Sequence, residues 1–244
     1  MEKQFVKELT IVMPVYNEDE VIAQVLDEWL VELRRLELDF ELCIYNDGST
    51  DKTFRKINEA AKLCKELEVF DKNNSGHGPT ILQGYRQSKG EWIFQTDSDN
   101  EISPGHFESL WNQRNENEFI IGNRTNRKSP ISRKIISFIS KWTVRILYGK
   151  GVNDVNSPFR LYKNEVFADG FKKIPSNTFA PNVILSGIAC QKRMKIGEIP
   201  VNFSPRSTGE VSIKKWKLFK VALKSWKQTI YFRLKLISFN RFPK

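Results

Sequence analysis

Three carboxylates at alternate positions, Asp97, Asp99 and Glu101, follow a short apolar run, Glu91-Trp92-Ile93-Phe94. That run reads as the end of a buried strand. In extended backbone, residues two apart share a face, so the three anions would leave the strand end together. They repel one another unless something positive sits among them. A hard divalent cation suits oxygen ligands, and Mg²⁺ takes one or two carboxylates plus substrate phosphates. The competing reading is a solvated acidic turn before Pro104, because Asp-x-Asp is short and common.

The elements that must position this cluster are legible upstream. Leu9 to Tyr16 is a near-continuous apolar run, as in strands buried on both faces, with Pro14 expected to end the ladder. Asn17-Glu18-Asp19-Glu20 suits a helix start, and Val21, Val25, Leu26, Trp29, Leu30 and Leu33 recur at helical spacing. Phe40 to Tyr45 is a second strand, and Asn46-Asp47-Gly48-Ser49-Thr50-Asp51 a turn with helix-capping chemistry. Glu68-Val69-Phe70 is a short third strand. A loop, Asn73 to Pro79, and a helix from Thr80 to Ser88 lead to the strand before Asp97. Repeated β-α units imply a parallel sheet with helices on both faces, which binds ligands beyond the carboxyl ends of its strands. Pro14, Tyr16, Glu18, Asp47, the Gly76-His77-Gly78 turn and the acidic cluster would converge there. His77, between two glycines, reads as a loop histidine with no role, with a hydrogen-bond donor to a diphosphate as the alternative, and His106 reads as helix surface.

Composition bounds the class. The chain of 244 residues is 40% hydrophobic and 28% charged, which is ordinary for a globular domain. Cys43, Cys64 and Cys190 have no metal-ligand spacing and point to a reducing compartment. The charged N-terminus lacks a signal-peptide core, and no apolar run approaches the roughly 20 residues that span a bilayer. The expected location is therefore cytoplasmic, peripheral on the inner face of the cell membrane. The net charge of +10 belongs to the tail: ten basic and no acidic residues lie beyond Glu210, leaving 29 of each in residues 1–210.

That tail carries Trp216, Phe219, Leu223, Trp226, Ile230, Leu234 and Ile237 at steps of three and four, with Lys217, Lys220, Lys224 and Lys227 on another side. Such a basic amphipathic helix fits an anionic membrane surface. Packing on the protein's own core is the alternative. Nucleic acid is disfavoured as a partner, because the body is neutral and an apolar stripe gains nothing from phosphate backbone. The division expected is 1–210 for a catalytic body and 211–244 for a helical appendage. A further helix, Ile131 to Tyr148, is basic and aromatic and ends at Gly149.

Val12-Met13-Pro14-Val15-Tyr16-Asn17-Glu18, Asn46-Asp47-Gly48-Ser49-Thr50-Asp51 and Asp97-Ser98-Asp99 together resemble the family-2 glycosyltransferases of GT-A fold. Within these the chain is most similar to dolichol- and polyprenyl-phosphate sugar synthases. Gly122-Asn123-Arg124, Asp154 to Leu161 (with Pro158 where Gly is usual) and Glu198-Ile199-Pro200-Val201 with Arg206, Gly209 and Ser212 extend the match over roughly residues 9 to 214. The resemblance implies a UDP- or GDP-sugar donor cupped by Pro14, Tyr16 and Glu18, with Asp47 on the base or ribose. Asp97 would face the ribose and metal region, and Asp99 and Glu101 would hold Mg²⁺ or Mn²⁺. Glu101 stands where many relatives carry Gln. Arg124, Arg160 and Arg206 would meet phosphate oxygens, as guanidinium groups do. The last motif is one residue longer than usual before Ser212 and Lys214.

A sugar leaving a nucleoside diphosphate leaves negative charge on the β-phosphate, which a cation and arginines stabilise. A hydroxyl acceptor needs a general base, and Asp154 is the candidate, with a turn cap as its equal alternative. A phosphate acceptor needs none. The expectation is a metal-dependent inverting transferase acting on a membrane polyprenyl phosphate or related lipid. The alternatives are a saccharide or lipid hydroxyl acceptor in cell-surface polysaccharide synthesis, and a non-catalytic nucleotide-sugar-binding protein at the membrane. Homo-oligomerisation is left open.

Overall fold

The computed structural model describes residues 6–125, 131–149, 151–204 and 215–240. Strand β1 (Lys7–Val15) begins a chain that alternates with helices: α1 (Ile22–Arg35), β2 (Phe40–Asn46), α2 (Thr53–Ala61), β3 (Leu67–Asp71), α3 (His77–Gln87) and β4 (Gly90–Gln95). A short 3-10 turn, Pro104–His106, leads into α4 (Phe107–Asn112) and β5 (Phe119–Thr125). Then come α5 (Ile131–Tyr148), β6 (Arg160–Lys163), α6 (Asn164–Lys173), α7 (Pro181–Gln191), β7 (Ile196–Asn202) and α8 (Lys215–Asn240).

The strands form one seven-stranded sheet in the order β3-β2-β1-β4-β6-β5-β7. β1 pairs in parallel with β2 and β4, β2 with β3, and β5 with β7; β6 runs antiparallel to both β4 and β5. This is the mostly parallel α/β sheet expected of a GT-A fold. β1 lies between two layers of core, because Leu9, Ile11 and Met13 fill one face and Val12 the other. On the first face Trp29 of α1 meets Phe94, Phe107 and Phe159 at ring-centroid distances of 5.4, 6.1 and 6.1 Å. On the second, Tyr85 of α3 meets Tyr162 and Phe171.

The chain first builds leftward from β1 through β2 to β3, then returns to lay β4 on the other side of β1. Ligands bind in α/β sheets at such a reversal, outside the carboxyl ends of the two strands. Here those ends are Val15 and Gln95, so the acidic cluster leaves the sheet at the reversal.

Several local expectations are corrected. Pro14 does not end β1: it pairs with Tyr45 of β2. The β1–β4 register stops at Val12↔Gln95, so the neighbour that would miss a proline N–H has already left. α3 starts at His77, not Thr80, which puts the histidine on a helix. His106 is not helix surface alone: its Nε2 accepts from the Asn202 N–H at 3.2 Å.

α8 packs beside α5 and α7 through residues outside the expected stripe. Thr229 and Phe232 are buried, the Tyr148 hydroxyl donates to the Thr229 carbonyl at 2.8 Å, and Arg233 donates to the Leu147 carbonyl at 2.6 Å. Leu223, Trp226 and Leu234 face outward, and Ile230 is half-buried. The core reading of the stripe therefore fails for those three. Trp216, Phe219 and Ile237 lie outside what is described of the side chains.

Candidate active site

The loop after β1 is fastened by the turn after β2. Ser49 Oγ accepts the Asn17 N–H at 3.0 Å, Asn17 Oδ1 accepts the Thr50 N–H at 2.8 Å, and Thr53 Oγ1 accepts the Glu18 N–H at 2.8 Å. Asn17 adopts φ 54°, a left-handed conformation that asparagine tolerates. Asp51 caps the start of α2 by accepting the Thr53 N–H at 2.9 Å. These bonds hold Tyr16 exposed on the rim, Pro14 buried beneath it and Glu18 half-buried beside it. The residues proposed to cup a nucleotide thus share one edge of the sheet.

Asp47 is placed differently from its expected role on a base or ribose. Its carboxylate is buried and turned into the loop after β3, where it pairs with Lys72 and accepts the N–H groups of Ser75 at 2.9 Å and Gly76 at 2.8 Å. Burial alone would raise its pKa, but Lys72 and the N–H donors outweigh burial and hold it below the ordinary carboxylate range. Asp47 organises the loop that delivers α3 to the rim. Lys72 escaped sequence reading; its signal was a cation two residues after the expected strand Glu68-Val69-Phe70.

The acidic cluster comes together, by a route other than extended backbone. β4 ends at Gln95, and Asn100 at φ 54° turns the chain. Asp99 Oδ1 then accepts the Glu101 N–H at 3.2 Å, and the Asn100 amide is tied to Glu28 at 2.9 Å. Asp97, Asp99 and Glu101 line one pocket with Thr96, Ile102, Pro158 and Phe203. Three carboxylates lining one pocket are a hard-oxygen donor set, the residue types that a divalent cation takes.

Asp97 is oriented from behind. Its Oδ1 accepts the Gln95 amide at 3.1 Å, and Gln95 Oε1 accepts from Asn182 at 2.8 Å and from the Tyr85 hydroxyl at 3.1 Å. On its outer side Asp97 Oδ1 meets His77 Nε2 at 2.9 Å. Burial opposes the imidazolium, yet the nearby carboxylates, Asp97 foremost, raise the His77 pKa above its ordinary value. Gln95 and Asn182 escaped sequence reading as site residues, and a diphosphate donor was the minor of the two readings of His77. Gln95 is a polar side chain at the end of an apolar strand, which was the available signal.

The arginines separate. Arg124 forms a bidentate pair with Asp154, Nε to Oδ2 at 2.7 Å and Nη2 to Oδ1 at 2.9 Å, with side-chain exposures of 7% and 12%. The Asp154 turn is held to β5 and β7 by Glu198, which accepts from the Asn153 backbone at 2.6 Å and the Asn123 amide at 3.3 Å. Arg160 does not reach a phosphate site. It is fully buried, donating to the carbonyls of Val155, Ser157 and Asn182 and to the Ser186 hydroxyl. Burial lowers its pKa. Its position at the start of β6, between β4 and β5, forces it under the sheet rather than onto the rim. Arg206, Gly209, Ser212 and Lys214 lie outside the described residues. The segment leading to them is anchored beside the cluster, with the Ser204 N–H donating to the Glu101 carbonyl at 2.8 Å.

The family model for glycosyl transferase family 2 matches residues 10–171, a span running from β1 into α6 and including Asp97, Asp99 and Glu101. The chain belongs to glycosyl transferase family 2. Among curated relatives of this family-2 chain, an undecaprenyl-phosphate 4-deoxy-4-formamido-L-arabinose transferase of Pectobacterium atrosepticum is 25% identical over 194 residues, covering 78% of this chain and 59% of that one. A dolichyl-phosphate beta-glucosyltransferase of Trichomonas vaginalis is 26% identical over 245 residues, covering 92% of this chain and 71% of that one. The chain thus spans about three fifths of the length of the first of these relatives. Among solved structures, glucosyl-3-phosphoglycerate synthase of Mycobacterium tuberculosis, in complex with Mn²⁺, UDP and glucosyl-3-phosphoglycerate, superposes with a TM-score of 0.68 at 14% identity. That match covers 93% of this chain and 80% of the other, and it establishes the shared fold.

Proposed function

We propose that this family-2 chain transfers a sugar, with inversion, from a nucleoside diphosphate to a polyprenyl phosphate. The observation that carries the reading is the pocket of Asp97, Asp99 and Glu101 at the β1/β4 reversal. Asp99 and Glu101 would hold Mg²⁺ or Mn²⁺, which supplies positive charge against the donor diphosphate. The relatives named for undecaprenyl- and dolichyl-phosphate and the Mn²⁺–UDP complex of the structural neighbour support the same assignment. Tyr16, Pro14 and Glu18 offer the rim on which a UDP or GDP moiety would lie. Asp97, fixed by Gln95, faces the ribose side.

The acceptor oxygen attacks the anomeric carbon as the bond to the β-phosphate oxygen breaks. That bond's electron pair stays on the departing diphosphate. The Arg124–Asp154 pair favours a phosphate acceptor over a hydroxyl. A carboxylate accepting two guanidinium hydrogen bonds is a weakened base, whereas a phosphate monoester, with a second pKa of about 6, arrives already ionised. Arg206 is proposed to join the phosphate contacts.

A lipid acceptor requires approach to a membrane, and two helices suit an anionic surface. Among the described residues no helix is long and apolar enough to cross a membrane. α5 and α8 carry no acidic residue. α5 exposes Ile135, Phe138, Ile139, Trp142 and Ile146, with Phe138 at 62% and Ile146 at 76%. α8 exposes Leu223, Trp226 and Leu234, and Lys220, Lys224 and Lys227 are exposed on the same helix. Aromatic and aliphatic side chains among lysines are the composition of an interfacial helix. The proposed location is the inner face of the cell membrane, with 211–244 as its appendage.

The test offers labelled UDP- and GDP-sugars with Mn²⁺ to short-chain prenyl phosphates and to the corresponding free prenols. Sugar should appear on the phosphates and not on the prenols. Transfer to prenols alone would overturn the acceptor assignment.

A further inference from the structure

His77 has no role in the chemistry described so far, yet the fold takes unusual care to place it. Its backbone is held on both sides. Before it, Gly76 turns the chain at φ 91° while its N–H is bound by the buried carboxylate of Asp47. After it, Gly78 presses on the backbone before α7, where a Cβ would come within 2.0 Å of the Phe179 carbonyl oxygen. A side chain larger than hydrogen at 78 would push the first turn of α3, and His77 with it, off the rim.

The ring is held as well. Nε2 lies 2.9 Å from Asp97 Oδ1, an oxygen that also accepts the Gln95 amide. Gln95 is itself fixed by Asn182 and Tyr85. Nδ1 has no hydrogen-bond partner among the described residues, and the side chain is half exposed. His77 also stands on the first turn of an eleven-residue helix, whose positive dipole end favours an anion. Asp97 is two residues from Asp99 in the same pocket. His77 thus stands beside the carboxylate set that would receive a diphosphate.

We propose that His77 is a catalytic residue that contacts the diphosphate of the nucleotide-sugar, using the ring edge opposite Asp97. In this arrangement Asp97 is its positioning residue, and Asp47 and Gly78 fix the backbone beneath it. The contact would strengthen as charge develops on the departing β-phosphate, as preorganised donors do. Asp97 accepts the Nε2 hydrogen, so the contact through Nδ1 is made by the doubly protonated ring, at the N-terminal end of α3. No bond is made or broken by His77 itself. The proposal rests on the nucleotide-sugar reading above.

The test compares His77→Ala, His77→Gln and His77→Lys with the native protein. Nucleotide binding with Mn²⁺ is measured by calorimetry, and sugar transfer or donor hydrolysis by release of UDP or GDP. His77→Ala should lower kcat by about 10²-fold, the scale for removal of one oxyanion donor. It should also weaken binding of the nucleoside diphosphate while leaving binding of the nucleoside unchanged. His77→Lys, which restores a donor, should recover part of kcat, and His77→Gln less. Equal kcat and equal diphosphate affinity in His77→Ala, with the melting temperature unchanged, would overturn the proposal. So would a loss of affinity that is the same for nucleoside and nucleoside diphosphate, because that marks a merely structural role. If the native protein binds no nucleotide, the nucleotide-sugar reading fails. If it binds and His77→Ala matches it, only the assignment of His77 fails.

Discussion

Replacing Asp154 by Asn separates a catalytic base from a structural partner. In the structure the carboxylate receives two hydrogen bonds from Arg124, and both side chains are nearly buried. Removing one member of a buried pair costs about 3–5 kcal/mol, because the other charge is left uncompensated. Asn keeps the size and one acceptor oxygen, and the pair retains some solvent contact, so the lower end, about 3 kcal/mol, applies. For a chain of this length each kcal/mol shifts the melting temperature by about 2–4 °C, which gives a fall of about 6–12 °C. Transfer to prenyl phosphate, assayed well below that transition, should retain more than about a tenth of the native rate, whereas loss of a general base costs about 10²- to 10⁴-fold. Thermal melting by circular dichroism and initial-rate kinetics on one preparation give both numbers. An unchanged melting temperature together with a rate collapse, both substrates still binding, would refute the reasoning and make Asp154 the base for a hydroxyl acceptor.

Arg160→Met should act on stability rather than on kcat. It strips donors from buried carbonyls at a cost of about 1–3 kcal/mol for each one left unsatisfied, so urea midpoints should fall while the surviving fold keeps its nucleotide affinity. Asp47 has a folded pKa below its unfolded value, so its stabilising contribution is full above about pH 4 and is lost as pH falls through the folded value. The stability gap between native protein and Asp47→Asn should therefore be wide at pH 7 and narrow by pH 3, as read from urea melts; a gap that widens in acid contradicts the sign. Trp142→Glu combined with Trp226→Glu should abolish sedimentation with phosphatidylglycerol vesicles and spare nucleotide binding, because both rings are exposed on helices without acidic residues. Vesicle binding equal to native would remove α5 and α8 from the membrane.

β1, β2 and β4 were legible because each is a short apolar run closed by a polar motif, and burial on both faces leaves that pattern unbroken, whereas β3 is a half-buried edge strand read from Glu68-Val69-Phe70 alone. The acidic cluster was legible for the same reason: Asp97 is the first charged residue after a buried strand. Its geometry was not, since Asn100 in a left-handed conformation, rather than strand alternation, brings Asp99 to Glu101. Arginine identity does not reveal depth. Arg124 and Arg160 sit in similar motifs, yet one lies beside a carboxylate near the rim and the other is sealed among carbonyls by its neighbours in the sheet. β5, β6 and β7 went unread as strands, although Phe119-Ile120-Ile121 is apolar enough, because their pairing is set by distant partners rather than by local period. On α8 the stripe marked an outward face, and the buried residues Thr229 and Phe232 fell off it. Periodicity identifies a helix and its faces but does not say which face meets the core.

Calorimetric titration of UDP, GDP and CMP into the native protein and Asp99→Asn, each with Mn²⁺ and then with EDTA, tests the pocket most directly. One nucleoside diphosphate should bind the native protein in Mn²⁺, and that binding should drop at least tenfold both in EDTA and in Asp99→Asn. Binding of no nucleotide in Mn²⁺, or equal affinity in native and Asp99→Asn protein, would contradict a metal-assisted nucleotide-sugar site at Asp97, Asp99 and Glu101.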